Sequence, residues 1–94
     1  MKDIQYILEN FNIQFNSILK CFETGSAYNC CLNYIGSSID YLIDSVPKLK
    51  DIGLMMIDRI DSMRGLEGIY NKDELYDALC MIRNDYYKFI KKEI

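Results

Sequence analysis

Histidine and tryptophan are absent from this 94-residue chain, and proline, threonine and valine occur once each. Without histidine the chain lacks the commonest general base, the usual partner of a catalytic serine or cysteine, and the commonest metal ligand. Most hydrolytic mechanisms are thereby disfavoured. The scarcity of valine and threonine argues against an all-β fold, whereas Ile, Leu, Met, Lys, Glu and Asp recurring in helical period argue for an all-α one. No stretch approaches about 18 consecutive apolar residues, and the opening MKDIQYILENFNIQF lacks the uninterrupted apolar core of a secretory signal. The expectation is a soluble, cytoplasmic protein with no membrane partner.

What is present fits one domain over residues 1–94: half the residues are apolar and 27% are charged, a globular balance rather than a disordered one. The net charge of -3 sits entirely in residues 1–47, while residues 48–94 balance nine basic against nine acidic groups. A mildly acidic surface offers no footprint for a phosphate backbone, which disfavours general nucleic-acid binding.

Four stripes predict four helices. Ile4, Leu8, Phe11, Phe15, Ile18 and Phe22, widened by Ile7 and Leu19, place helix 1 over Lys2 to Glu23, with Asp3 at its positive end and Gly25 ending it. Ser26 is expected to cap helix 2, which runs to about Ser45 on Tyr28, Leu32, Ile35, Ile39, Leu42 and Val46. Pro47 ends it, with Ser45 as the next cap. Helix 3 then spans about Pro47 to Met63, using Leu49, Ile52, Met56, Ile57, Ile60 and Met63, and stops at Gly65. Gly36 and Gly53 fall at nearly the same height of the hairpin between helices 2 and 3, which predicts a close backbone crossing. Leu66, Ile69 and Tyr70 are expected to fold over the end of the molecule.

Asn71 with Glu74 reads as a capping box for helix 4. That helix buries Leu75, Leu79, Ile82, Tyr86 and Phe89 and carries Lys88, Lys91 and Lys92 near its negative end. Short connections make each helix antiparallel to the one before it. The predicted architecture is an antiparallel up-down-up-down four-helix bundle.

Few residues offer chemistry. Cys21, Cys30, Cys31 and Cys80 lack paired C-x-x-C spacing for zinc and are read as thiols; a thiol-based metal or redox protein is the alternative, with a disulfide from Cys21 to Cys30 or Cys31 as its simplest form. Asp40, Asp44, Asp51, Asp58 and Asp61 face outward on the heptad assignment, and the Glu-x-x-His element of carboxylate di-metal bundles is missing. No cofactor is expected.

Arg83-Asn84, followed by Tyr87 and Lys88 in the C-terminal helix, resembles the Arg-Asn start of the HEPN-type ribonuclease motif, and LNYIGSSIDYL in helix 2 resembles a helix of toxin members of that family. The likeness covers about a quarter of the chain. Tyr87 or Lys88 occupies the place of the family's histidine, so what it implies is a degenerate subunit contacting RNA or a nucleotide, with ribonuclease activity in doubt.

The main functional signal is apolar surface left over once the stripes are assigned. Tyr6 and Ile13 on helix 1, Tyr34 and Tyr41 on helix 2, and Tyr76, Arg83, Tyr87 and Ile90 on helix 4 lie away from them. Tyrosine and arginine carry interface energy because they bury a large area behind a polar tip. The expectation is a non-enzymatic protein-binding module of inhibitor, adaptor or antitoxin/immunity-like type, acting through Tyr76, Arg83, Tyr87, Ile90, Tyr34 and Tyr41, on a protein partner or by self-association.

Overall fold

Residues 4–93 are described in the computed structural model of the chain, with side chains through Ile90. Four helices follow one another: α1 (Ile4–Glu23), α2 (Tyr28–Ser45), α3 (Lys50–Met63) and α4 (Lys72–Glu93). Each packs chiefly on its sequence neighbours, and α4 closes back on α1. The result is the antiparallel up-down-up-down four-helix bundle, 42 Å long and about 20 Å across. No described helix is long and apolar enough to cross a membrane. The helix start expected at Lys2 and Asp3, and the dipole role of the Lys91 and Lys92 side chains, lie outside the described residues.

The turn between α1 and α2 is built by Gly25. Its φ of +117° lets Gly25 N–H donate to Phe22 O and Ser26 N–H to Cys21 O, the paired bonds of a Schellman ending. That turn consumes Ser26, which does not cap α2. Ala27 occupies the cap position with no side-chain bond. Ser45 likewise caps nothing, because α2 ends through Val46 N–H to Leu42 O, and Pro47–Leu49 form a short 3-10 turn before α3 starts at Lys50. Helix α3 ends at Met63, two residues before Gly65, in a second 3-10 turn at Arg64–Leu66. The capping box forms as expected: Asn71 Oδ1 accepts from Glu74 N–H at 2.8 Å, and Glu74 Oε1 accepts from Asn71 N–H at 3.1 Å.

The core runs the length of the bundle, from Ile7 and Ile90 through Phe11, Leu32, Ile35, Leu79 and Ile60 to Phe22, Tyr28 and Met63. On α1 the buried row is Ile7, Phe11, Phe15, Leu19 and Phe22, while Ile4, Leu8 and Ile18 flank it half-buried. The central row is thus the one expected only to widen the stripe. With α2 on one side and α4 on the other, α1 buries a broad sector, and its neighbours decide which row lies deepest. Leu66 packs against the core, but Ile69 and Tyr70 do not fold over the bundle end: they stay 72% and 45% exposed.

One end of the bundle is cross-linked by specific contacts. The Tyr28 ring packs against Phe22 with centroids 5.4 Å apart, and its hydroxyl donates to Met63 O at 2.8 Å. Lys72 Nζ donates to Glu23 O at 2.9 Å and lies 5.6 Å from the Phe22 ring centre. Farther along, Arg59 and Asp85 tie α3 to α4 through a 2.7 Å ion pair.

The two helix glycines behave differently. A Cβ on Gly36 would meet nothing within 4 Å, whereas one on Gly53 would stand 2.5 Å from Ile43 Cγ1 and 2.6 Å from Ile43 Cδ1. The close crossing predicted for both is a side chain of α2 seated on Gly53 alone. Gly36→Ala is therefore expected to raise stability by about 1 kcal/mol, the helix-propensity difference. Gly53→Ala, forced to displace Ile43, is expected to show no gain. Equilibrium urea unfolding of both variants checks this, and equal gains would refute the packing assigned to Gly53. Tyr28→Phe keeps the ring and removes the hydroxyl's bond to Met63 O, and is expected to cost about 0.5–1.5 kcal/mol in the same measurement.

Candidate functional site

The residues expected to meet a partner separate into two groups. Tyr34 and Tyr41, on α2, are 65% and 50% exposed, and Ile13, on α1, is 61% exposed. All three line one open groove of about 580 Å³ along the α1–α2 seam. Ile18 lies in its floor, and the rest of its wall is amide and hydroxyl: Asn10, Gln14, Ser17, Ser37 and Ser38. Ser38 Oγ donates to Gln14 Oε1 at 3.0 Å, which pins the two walls together. None of the lining residues carries a formal charge, although 27% of the chain is charged. Tyr6, 57% exposed, stands outside the groove.

The α4 group is mostly engaged within the fold. Ile90, placed on the outward face by its spacing, is 6% exposed and part of the core, while Phe89, placed in the core, is 37% exposed. From Leu75 onward the buried positions are Leu79, Ile82, Tyr86 and Ile90. A straight helix drifts relative to a strict heptad by about 20° per seven residues, and over two heptads that brings Ile90 inward in place of Phe89. Tyr76 and Tyr87 are half-buried and pack against the core. Arg83, half-buried, donates to Asn16 Oδ1 of α1 at 2.8 Å and to Asn84 Oδ1 at 3.4 Å. Asp85, two positions farther on, is paired with Arg59. Of the set resembling the ribonuclease motif, Asn84 and Lys88 are exposed, whereas Arg83 and Tyr87 face the α1–α4 seam.

That seam holds a smaller groove of about 280 Å³, lined by Gln5, Leu8, Glu9, Asn12, Tyr86, Tyr87 and Ile90. Tyr86, which lines it, packs on Phe11 of the core with ring centroids 4.6 Å apart. Tyr76 lies apart, in a shallow depression with Glu23, Lys72 and Asp73. There the neighbouring Cys80 thiol, more than burial, holds the Tyr76 phenol above its usual range.

The thiols occupy three settings. Cys21 and Cys30 are exposed, Cys31 is buried and Cys80 is half-buried, all as free thiols. Burial pushes the Cys31 thiol up, and the neighbouring Cys21 and Cys30 add to the effect. Asp40, Asp44, Asp51, Asp58 and Asp61 are all exposed, as expected. Among the described residues no group of three or more Cys, Asp or Glu side chains is placed to hold a metal ion.

Sequence reasoning assigned Ile18 to the core stripe and passed over Ser37, Ser38 and Gln14, which complete the α1–α2 groove. A signal was present in Gly36-Ser37-Ser38, where three small residues in succession leave room between Tyr34 and Tyr41. No known protein family, curated protein or solved structure matches the chain.

Burial also pushes the Tyr86 phenol well above its usual value near 10, with Tyr87 adding to it. The folded state therefore favours the neutral phenol. Its contribution is fully present below about pH 10, the unfolded-chain value, and is lost as pH rises toward the folded value, by up to about 1.4 kcal/mol per pH unit. Unfolding free energy measured from pH 9 to 11.5 is expected to fall above pH 10, and Tyr86→Phe is expected to flatten that fall. An unchanged slope in the variant would show that other groups drive alkaline loss.

Proposed function

We propose that this protein is a non-enzymatic binding module that engages a protein partner through the α1–α2 groove. The observation that carries the reading is the convergence of Tyr34, Tyr41 and Ile13 on one open, uncharged concavity. The centres of protein interfaces are depleted in charge and enriched in tyrosine, because a desolvated ring contributes area while its hydroxyl still finds a partner. Around this groove the seam is braced by Gln14 and Ser38, so the tyrosines project from a prearranged surface, which reduces the ordering cost of binding. The absence of histidine is in keeping with a binding role. An inhibitor, adaptor or antitoxin/immunity-like accessory protein works in this way, holding a larger partner by one rigid face.

The α4 residues contribute less to this reading than their spacing promised. Ile90 is spent in the core and Arg83 on Asn16, which leaves Tyr87 and Tyr76 as secondary contacts.

A pull-down from the native source, with parent protein beside Tyr34→Ser/Tyr41→Ser, tests the proposal. The parent is expected to retain a specific protein, and the double variant to lose affinity by at least tenfold, as hot-spot truncations worth about 1–2 kcal/mol each do. Sedimentation mass of the two proteins distinguishes a second copy of the chain as partner, since a dimer broken by the same substitutions places self-association at this groove. A partner held equally well by both proteins would remove the α1–α2 groove from consideration.

A further inference from the structure

Three of the four thiols meet at the corner where α1 turns into α2. Cys21 lies in the last turn of α1, Cys30 and Cys31 open α2, and all three line one cavity of about 300 Å³ with Ile18, Ser26 and Tyr34. The chain between the helices is short, and its course is set by the bonds from Gly25 and Ser26 back to Phe22 and Cys21.

Register decides which thiols pair. Gln14 and Ser38 face one another across the seam, joined by a 3.0 Å hydrogen bond. Cys21 follows Gln14 by seven residues, and Cys31 precedes Ser38 by seven. Both steps are about two helical turns toward the shared corner. Antiparallel helices preserve that alignment, which sets Cys21 and Cys31 at the same height of the seam. Cys30, by contrast, continues the outer ridge of Ser37 and Tyr34. Cys21 is open to solvent, and Cys31 lies behind it, 1% exposed.

We propose that Cys21 and Cys31 are an exchange pair, which small disulfides of the oxidised-glutathione class close into an intramolecular disulfide. The Cys21 thiolate attacks one sulfur of the small disulfide, forming a mixed disulfide and expelling one thiolate. Cys31 then gives up its proton and attacks the Cys21 sulfur, forming the Cys21–Cys31 bond and expelling the second. Two protein thiols are oxidised, one small disulfide is reduced to two thiols, and the two protons leave with them. The buried sulfur need not reach solvent, because its target is already tethered at the cavity mouth. Closure ties α1 to α2 next to the α1–α2 groove, with which the cavity shares Ile18 and Tyr34; the exchange itself does not depend on any partner binding there.

The test is incubation of the whole protein with oxidised glutathione, followed by intact mass, free-thiol count and peptide mapping. The expected product has a Cys21–Cys31 linked peptide and no glutathione on Cys21 or Cys31, with a raised thermal midpoint that a reductant reverses. Cys30→Ser is expected to close the bridge as the parent does. Cys31→Ala is expected to hold glutathione on Cys21, and Cys21→Ser, at an exposed site that tolerates the change, to form no bridge. Four free thiols in the parent, a persistent glutathione adduct on parent Cys21, or a bridge running to Cys30 or Cys80 would each overturn the proposal.

Discussion

The Tyr28 side chain joins three helices at once, and the corner it occupies holds the bundle in register. Its ring lies on Phe22 of α1 and its hydroxyl closes on the Met63 carbonyl at the end of α3. A buried carbonyl at a helix end costs free energy unless it finds a donor. At Met63, where a 3-10 turn continues the chain, Tyr28 adds a donor from inside the core. The exposed side of the same corner is served by Lys72, whose ammonium accepts no bond and donates to Glu23 O, where the negative end of the α1 dipole favours a cation. The start of α4 is thereby held against the end of α1, and the ring of four helices closes.

Away from that corner the helices are held by shape more than by polar contacts. Phe11 against Tyr86 fills the space between α1 and α4, and Ile43 fills the space opened by Gly53 between α2 and α3. The polar links that do cross seams sit at the margins: Ser38 to Gln14, Arg83 to Asn16, Arg59 to Asp85. Each is exposed or half-exposed, so each steers the alignment of a seam more than it adds stability. The functional reading depends on that alignment, since the groove exists only because α1 and α2 present Ile13, Tyr34 and Tyr41 at matching heights.

Much of the fold was legible from residues alone. The capping box at Asn71 and Glu74 and the glycine ending at Gly25 are local bonds, closed within a few residues, and they form as read. Ser26 and Ser45 do not cap, because the Schellman turn draws the Ser26 backbone back onto Cys21 and the 3-10 turn at Pro47–Leu49 starts from Val46 rather than Ser45. The site was half legible. Tyr34, Tyr41 and Ile13 stand where their spacing put them, but Ile90 went to the core and Phe89 to the edge because a heptad count ignores the drift of a straight helix.

The sequence by itself determined four helices, their order, their antiparallel course and a tyrosine-rich surface, because periodicity and capping are properties of a few consecutive turns. Only the tertiary structure decided which of two adjacent rows on α1 lies deepest. It also paired Arg83 with Asn16, gathered three thiols at one corner, and brought Ile13, Tyr34 and Tyr41 onto one groove at the α1–α2 seam. These outcomes depend on where a neighbouring helix stands. A helix of 3.6 residues per turn offers several nearly equivalent faces, and the choice among them belongs to its partners.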